Sequence, residues 1–138
     1  MPDSHKTQWM ALAEYRITRA TELVVVSEEL LESGHFKDSI NRSYFAVFSA
    51  LRATLALEGF DSKKHSGVIG EFRKNYIKTG VFDAILSEYI GSAFSIRNDS
   101  DYDDFFMASK EDALTQLEHA KELVDTVKDW LKSQDFSC

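Results

Sequence analysis

Apolar residues recur at steps of three and four along nearly the whole chain, the period of a helix with one buried stripe. Ala13, Ile17, Ala20, Val24, Ser27 and Leu31 keep this spacing and predict a first helix stopped by Gly34. A second helix is expected from about Phe36 to Glu58, ended by Gly59. Its stripe of Ile40, Tyr44, Val47, Leu51 and Leu55 is widened by Phe45 and Phe48, which places it centrally among other helices. Asp61-Ser62 reads as the cap of a third helix carrying Ile69, Phe72 and Tyr76 and stopping near Gly80. A fourth is expected from about Val81 to Arg97, with Phe82, Leu86, Tyr89, Ala93 and Arg97 along one face. The segment from Asn98 to Asp104 holds Asp99, Asp101, Asp103 and Asp104 and is predicted to be an exposed acidic turn. The last helix opens at Ser109, where Asp112 makes a variant of the capping box. Its stripe is Ala113, Leu117, Ala120, Val124, Val127 and Leu131. No window shows sustained β-type alternation, so the expected fold is all-α, an antiparallel up-and-down bundle of about five helices. The shared spacing of the first and last helices suits them either to lie side by side or each to face a common core.

Composition agrees with one helical domain. The chain has 138 residues, 43% of them apolar, with one proline and six glycines. This is enough for a single domain over residues 1–138, with a core expected over about 11–133. The only cysteine is Cys138, so an internal disulfide is excluded. Met1 to Gln8 is polar and lacks the apolar run of a signal peptide, and no segment approaches the ~20 apolar residues of a membrane span. A cytoplasmic protein without membrane association is expected. The net charge of −7 argues against broad capture of a nucleic-acid backbone, which needs a basic face. It leaves room for a local site that takes one nucleotide or a short RNA segment.

Arg97-Asn98-Asp99-Ser100-Asp101-Tyr102 is the leading candidate for such a site. Arg97 continues the apolar face of the fourth helix, so its guanidinium is placed at the edge of the buried side, with the Tyr102 phenol following. An always-charged fork and a hydroxyl at a helix end suit a phosphate. The plainer alternative is that a cation in a last helical turn satisfies the free carbonyls and the helix dipole. Lys63-Lys64-His65-Ser66-Gly67 is a second candidate, because it opens the third helix, where free N–H groups favour anions. Solvated lysines and a packed His65 would be its structural alternative. Arg42, midway along an apolar helix, needs either a route to solvent or an acidic partner across the bundle.

No cofactor or metal is expected. The aspartates imitate the start of a calcium loop, but Asp104 stands where the turn glycine belongs and Lys110 where the bidentate glutamate belongs. His5, His35, His65 and His119 show no pair at ligand spacing. There is no glycine-rich phosphate loop and no nucleophile elbow.

Four segments in this order resemble the HEPN superfamily, in particular its small stand-alone prokaryotic members. They are Asn41-Arg42-Ser43-Tyr44-Phe45-Ala46-Val47-Phe48, Lys64-His65-Ser66-Gly67-Val68-Ile69 with Phe72, Lys78-Thr79-Gly80, and Arg97 to Asp103. The resemblance covers roughly residues 11 to 130. It implies an up-and-down bundle that dimerises, and often a toxin–antitoxin pair with a minimal nucleotidyltransferase. Many such toxins are metal-independent ribonucleases with a motif of arginine, four to six residues, then histidine. Arg97 and Asn98 match its start, but Tyr102 stands five residues on, where a histidine would complete the motif. A phenol near pKa 10 is a poor base at neutral pH, whereas a histidine near 6.5 is a good one. The resemblance therefore implies phosphate binding by Arg97, with Asn98, Asp101 and Tyr102 shaping the pocket. Lys63, Lys64 and His65 would supply the second site. Tyr102 would be available to accept a nucleotidyl group, as a nearby tyrosine does in related toxins. Ribonuclease activity would need another base, and His65 is the candidate. A binding-only scaffold, with Arg97 and Asp101 as a structural ion pair, is the third reading.

Overall fold

The computed structural model describes residues 4–134, with side chains placed from residue 8. His5 and Cys138 therefore lie outside the described side chains. The described chain is all-α: α1 (Ser4–Glu32), α2 (Phe36–Ala56), α3 (His65–Phe72, continued by a π-helical turn Arg73–Ile77), α4 (Ile85–Tyr102) and α5 (Lys110–Ser133).

α2 is the central helix, packed against α1, α3, α4 and α5. The sequence explains why. Ile40, Tyr44, Val47, Leu51 and Leu55 are buried as one stripe, and Ala46, Ala50, Ala53 and Ala56 let neighbouring backbones approach closely on its other sides. The α1 stripe is buried at Ala13, Ile17, Ala20, Ser27 and Leu31, and the α5 stripe at Ala113, Leu117, Ala120, Val124 and Val127. α1 packs on both α2 and α5, and Lys121 Nζ of α5 lies 2.8 Å from Glu28 Oε2 of α1. Where α1 meets the start of α2, Ser27, Ser39 and Ser43 satisfy one another in the interior, with Ser27 Oγ 2.9 Å from Ser39 Oγ and 2.7 Å from Ser43 Oγ.

Gly34 ends α1 as its position suggests. With φ of 81°, it lets His35 N–H donate to the Leu30 carbonyl and its own N–H donate to Leu31. The same pair of bonds closes α2 at Gly59, from Phe60 to Leu55 and from Gly59 to Ala56. At α5 the capping box forms: Asp112 N–H donates to Ser109 Oγ and Ser109 N–H to Asp112 Oδ2.

Three expectations are corrected. Asp61-Ser62 does not cap α3: the helix begins at His65 with Lys64 as its flanking residue and no side-chain cap. The Asp61 carboxylate is taken up by Arg52 Nη2 at 2.8 Å and Arg16 Nη2 at 3.4 Å instead. α4 begins at Ile85, whose N–H donates to Asp83 Oδ1, and Phe82 precedes it as an anchor stacked on Phe72 and edge-on to Trp130. α4 also runs on through Tyr102, so residues 98–102 are helical and not an acidic turn. Propensity disfavours that extension, but ion pairing across one helical turn and docking on α2 outweigh it.

Candidate functional site

The extension of α4 decides the site. Arg97 is not in a last turn: it lies one helical turn before Asp101, and its Nε is 3.0 Å from Asp101 Oδ2. The contact lies off the N–H axis, so the two attract as charges without a hydrogen bond. Asp101 is also held from α2, where Asn41 Nδ2 donates to its Oδ2 at 3.2 Å. The Arg97 side chain is only 15% exposed. Its guanidinium carbon stands 5.1 Å from the centre of the Tyr44 ring, 5.3 Å from Phe45 and 5.6 Å from Tyr102. A weakly hydrated, planar cation suits such an aromatic setting far better than an ammonium would. With Nε turned to Asp101, the two Nη groups make no hydrogen bond among the described residues. They form an edge able to grip two oxygens of a phosphate.

His65, the first residue of α3, is brought to the same cluster. Its Nδ1 is 2.6 Å from the Tyr44 hydroxyl, and its ring packs 4.2 Å from that of Phe48. Partial burial lowers its pKa below the ordinary 6.5, and the positive charges of Arg97 and Arg52 lower it further. Burial of Tyr44 pushes its phenol up to about 12 against the opposing pull of Arg97, so at neutral pH the pair is an uncharged imidazole and an intact phenol. Where the phenol donates to Nδ1, the ring carries its proton on Nε2 and can donate to a phosphate. Where Nδ1–H donates to the phenol oxygen, Nε2 is free to take a proton.

Among the candidates, the structure thus joins Arg97, Asp101, Tyr102 and His65. It does not bring in Lys63 and Lys64, which are exposed and pair with no carboxylate among the described residues. Asn98 makes no hydrogen bond to the cluster. Arg42 finds solvent and the Asn41 Oδ1, not an acid across the bundle. Tyr44, Phe45 and Asn41 of α2 also join the cluster. A phenol and an amide on an otherwise apolar helix were the available signal. Among the described residues no three His, Cys, Asp or Glu side chains gather as metal ligands, and no helix is long and apolar enough to cross a membrane.

The linkage of His65 to folding gives a testable pH dependence. Because folding depresses its pKa, protons bind the unfolded chain first as pH falls, so stability held above about pH 6.5 is lost on descending through the folded value. Urea midpoints should fall more between pH 7.5 and 5.5 for the wild type than for His65→Gln. Equal falls would mean that His65 carries no such linkage.

The described chain is thus an all-α bundle in which an arginine packed among aromatic rings shares a cluster with a helix-opening histidine. The HEPN domain profile matches residues 13–130, and the chain belongs to the HEPN family. It is 33% identical over 123 residues to a protein of Methanocaldococcus jannaschii named a putative toxin, covering 89% of this chain and 84% of that relative. A second putative toxin of the same organism is 28% identical over 113 residues, 82% of this chain and 84% of the relative. A UPF0332 protein of Archaeoglobus fulgidus is 32% identical over 115 residues, 83% of this chain and 91% of the relative.

Proposed function

We propose that this chain is a cytoplasmic, homodimeric HEPN protein that binds a nucleotide or an RNA segment through Arg97 and acts as the toxin-like half of a pair with a nucleotidyltransferase. The observation that carries the reading is the Arg97 guanidinium, fixed by rings and Asp101 with its Nη edge unoccupied by protein. Such a fork is already oriented, so a phosphate binds without the entropy cost of ordering a flexible cation. Asp101 positions Arg97, and Tyr102, 73% exposed, offers a hydroxyl both to hydrogen-bond phosphate and to accept a nucleotidyl group. The relatives named putative toxins support the toxin-like role.

One observation favours a second reading, a metal-independent ribonuclease. His65 and Arg97 both sit against Tyr44, with His65 Nδ1 2.6 Å from its hydroxyl and the Arg97 guanidinium carbon 5.1 Å from its ring centre. In this reading His65 Nε2 takes the proton of a ribose 2′-hydroxyl while Arg97 stabilises the charge that builds on the phosphate. Incubating defined RNAs with the protein in excess chelator tests it. Cleavage that disappears in His65→Gln establishes the ribonuclease; binding without cleavage leaves the first reading alone.

The dimer has its own test. Phe105 and Met107, in the loop after α4, are strongly exposed apolar side chains of the kind a second copy covers. Light scattering should give twice the chain mass of 15.7 kDa at micromolar concentration, and a monomer would refute the assembly.

A further inference from the structure

The hydrogen bond between Tyr44 of α2 and His65 of α3 can run in either direction, and its surroundings choose one. The Tyr44 hydroxyl lies 2.6 Å from His65 Nδ1, and Tyr44 is only 2% exposed. The phenol has one proton to donate, and the neutral imidazole has one N–H for its two nitrogens. Among the described residues, Nδ1 is the one hydrogen-bond partner of the phenol. If Nδ1–H donated to the phenol oxygen, the phenol O–H would be left inside the bundle without an acceptor, and an unmade buried donor is costly. With the phenol as donor, Nδ1 is satisfied and the imidazole proton stands on Nε2. That nitrogen bonds to no described residue and is not sealed from water, so its N–H is free to donate outward.

Packing and charge hold this arrangement. The imidazole is set among three rings, tilted on Phe48 at 4.2 Å, stacked with Tyr44 at 5.6 Å and edge-on to Phe45 at 6.0 Å. Turning the ring over to exchange its nitrogens would disturb all three contacts. The Arg97 guanidinium carbon stands 5.1 Å from the Tyr44 ring centre, and a cation there makes the phenol a readier donor. Around His65 itself, burial and then the charges of Arg97 from α4 and Arg52 from α2 oppose an imidazolium. A phenol that gives its proton to Nδ1 opposes it too.

Resting on the reading of the Arg97 cluster as a binding site, we propose that Tyr44 is a positioning residue that locks His65 with its proton on Nε2, so that His65 meets the ligand as a neutral donor and not as a base. Tyr44 acts through His65 and need touch no ligand itself. A proton-abstracting Nε2 would require the phenol to turn away from Nδ1, which counts against the ribonuclease reading.

The first arm of the test needs no ligand. In nitrogen-labelled protein at about pH 8, well above the ordinary histidine pKa of about 6.5, long-range proton–nitrogen NMR spectra should show His65 with a bare Nδ1 and a protonated Nε2. Loss of these resonances in His65→Gln assigns them. Tyr44→Phe keeps the ring and its packing, so its two nitrogen resonances should move toward each other as the second tautomer is populated, and the His65 pKa should rise. A protonated Nδ1 in the wild type would overturn the proposal. So would identical spectra in the two proteins, or a His65 pKa that falls in Tyr44→Phe, the sign expected of a phenol that accepts. The second arm titrates AMP. Glutamine carries an amide N–H close to where Nε2–H stands, so His65→Gln should keep more affinity than His65→Ala, which should bind about tenfold more weakly. Equal losses in the two would overturn the donor role. If the wild type binds no AMP, or Arg97→Ala binds it as before, the Arg97 reading falls, while the tautomer read without ligand still decides the role of Tyr44.

Discussion

Arg97→Ala should weaken binding of nucleotide or RNA at least tenfold, because a charge-assisted contact contributes about 1.5–3 kcal/mol. The fold should survive, at a cost of about 1–3 kcal/mol from lost stacking on the Tyr44, Phe45 and Tyr102 rings and from the vacated ion pair. Asp101 is not stranded by the change, since it keeps the Asn41 amide and is a quarter exposed. Two further variants separate binding from scaffolding. Arg97→Lys keeps the charge and loses the fork, so it should bind more weakly than wild type and better than the alanine variant. Asp101→Asn removes the ion pair that positions Arg97 but leaves the Nη edge, so stability should fall and phosphate binding should weaken less than in the alanine variant. Titrations and thermal melts on the three variants give the comparison. A large fall in melting temperature with ligand binding preserved in Arg97→Ala would make the Arg97–Asp101 pair a structural device only.

Phe72→Ala should have the largest effect on stability, about 3–5 kcal/mol. Phe72 has no exposed surface and is stacked on Tyr76 at 5.3 Å and Phe82 at 5.7 Å. Trp130 of α5 closes this cluster edge-on against Tyr76 and Phe82, so truncation opens a cavity where the α3 segment, the loop before α4 and α5 meet. At roughly 3 °C per kcal/mol for a chain of this size, the melting temperature should drop by about 10–15 °C. Phe72→Leu refills most of the volume and should recover much of the loss. A drop of only a few degrees for the alanine variant would mean that the surrounding rings collapse into the gap. Because the cluster is remote from Arg97 in its contacts, binding measured well below the melting temperature should be unchanged.

The stripes of α1, α2 and α5 were legible because each is a local pattern repeated over many turns, and burial follows the stripe almost residue by residue. Gly34, Gly59 and the Ser109 capping box were legible for a related reason: chain termination and capping are settled by residues within one turn of each other. The end of α4 was not. Asn98, Asp99 and Ser100 have poor helix propensity and read as a turn. Their helical state depends on Ser100 being buried and on Asp101 being held by Arg97 and Asn41, the latter 60 residues away. For the same reason Asp61 looked like a helix cap, although arginines from two other helices claim its carboxylate.

The sequence by itself determined an all-α bundle, its central helix and its family, and it singled out Arg97 and His65 as candidates. Each of these rests on periodicity, on punctuation or on short motifs that need no knowledge of what packs where. Only the tertiary structure decided that Arg97 and His65 belong to one cluster, that Tyr44 joins them, and that Lys63, Lys64 and Asn98 stand outside its contacts. The physical reason is distance along the chain. Side chains from α2, α3 and α4 meet only after the apolar stripes have fixed the rotation and axial position of each helix, and a residue's own neighbours carry no record of that alignment.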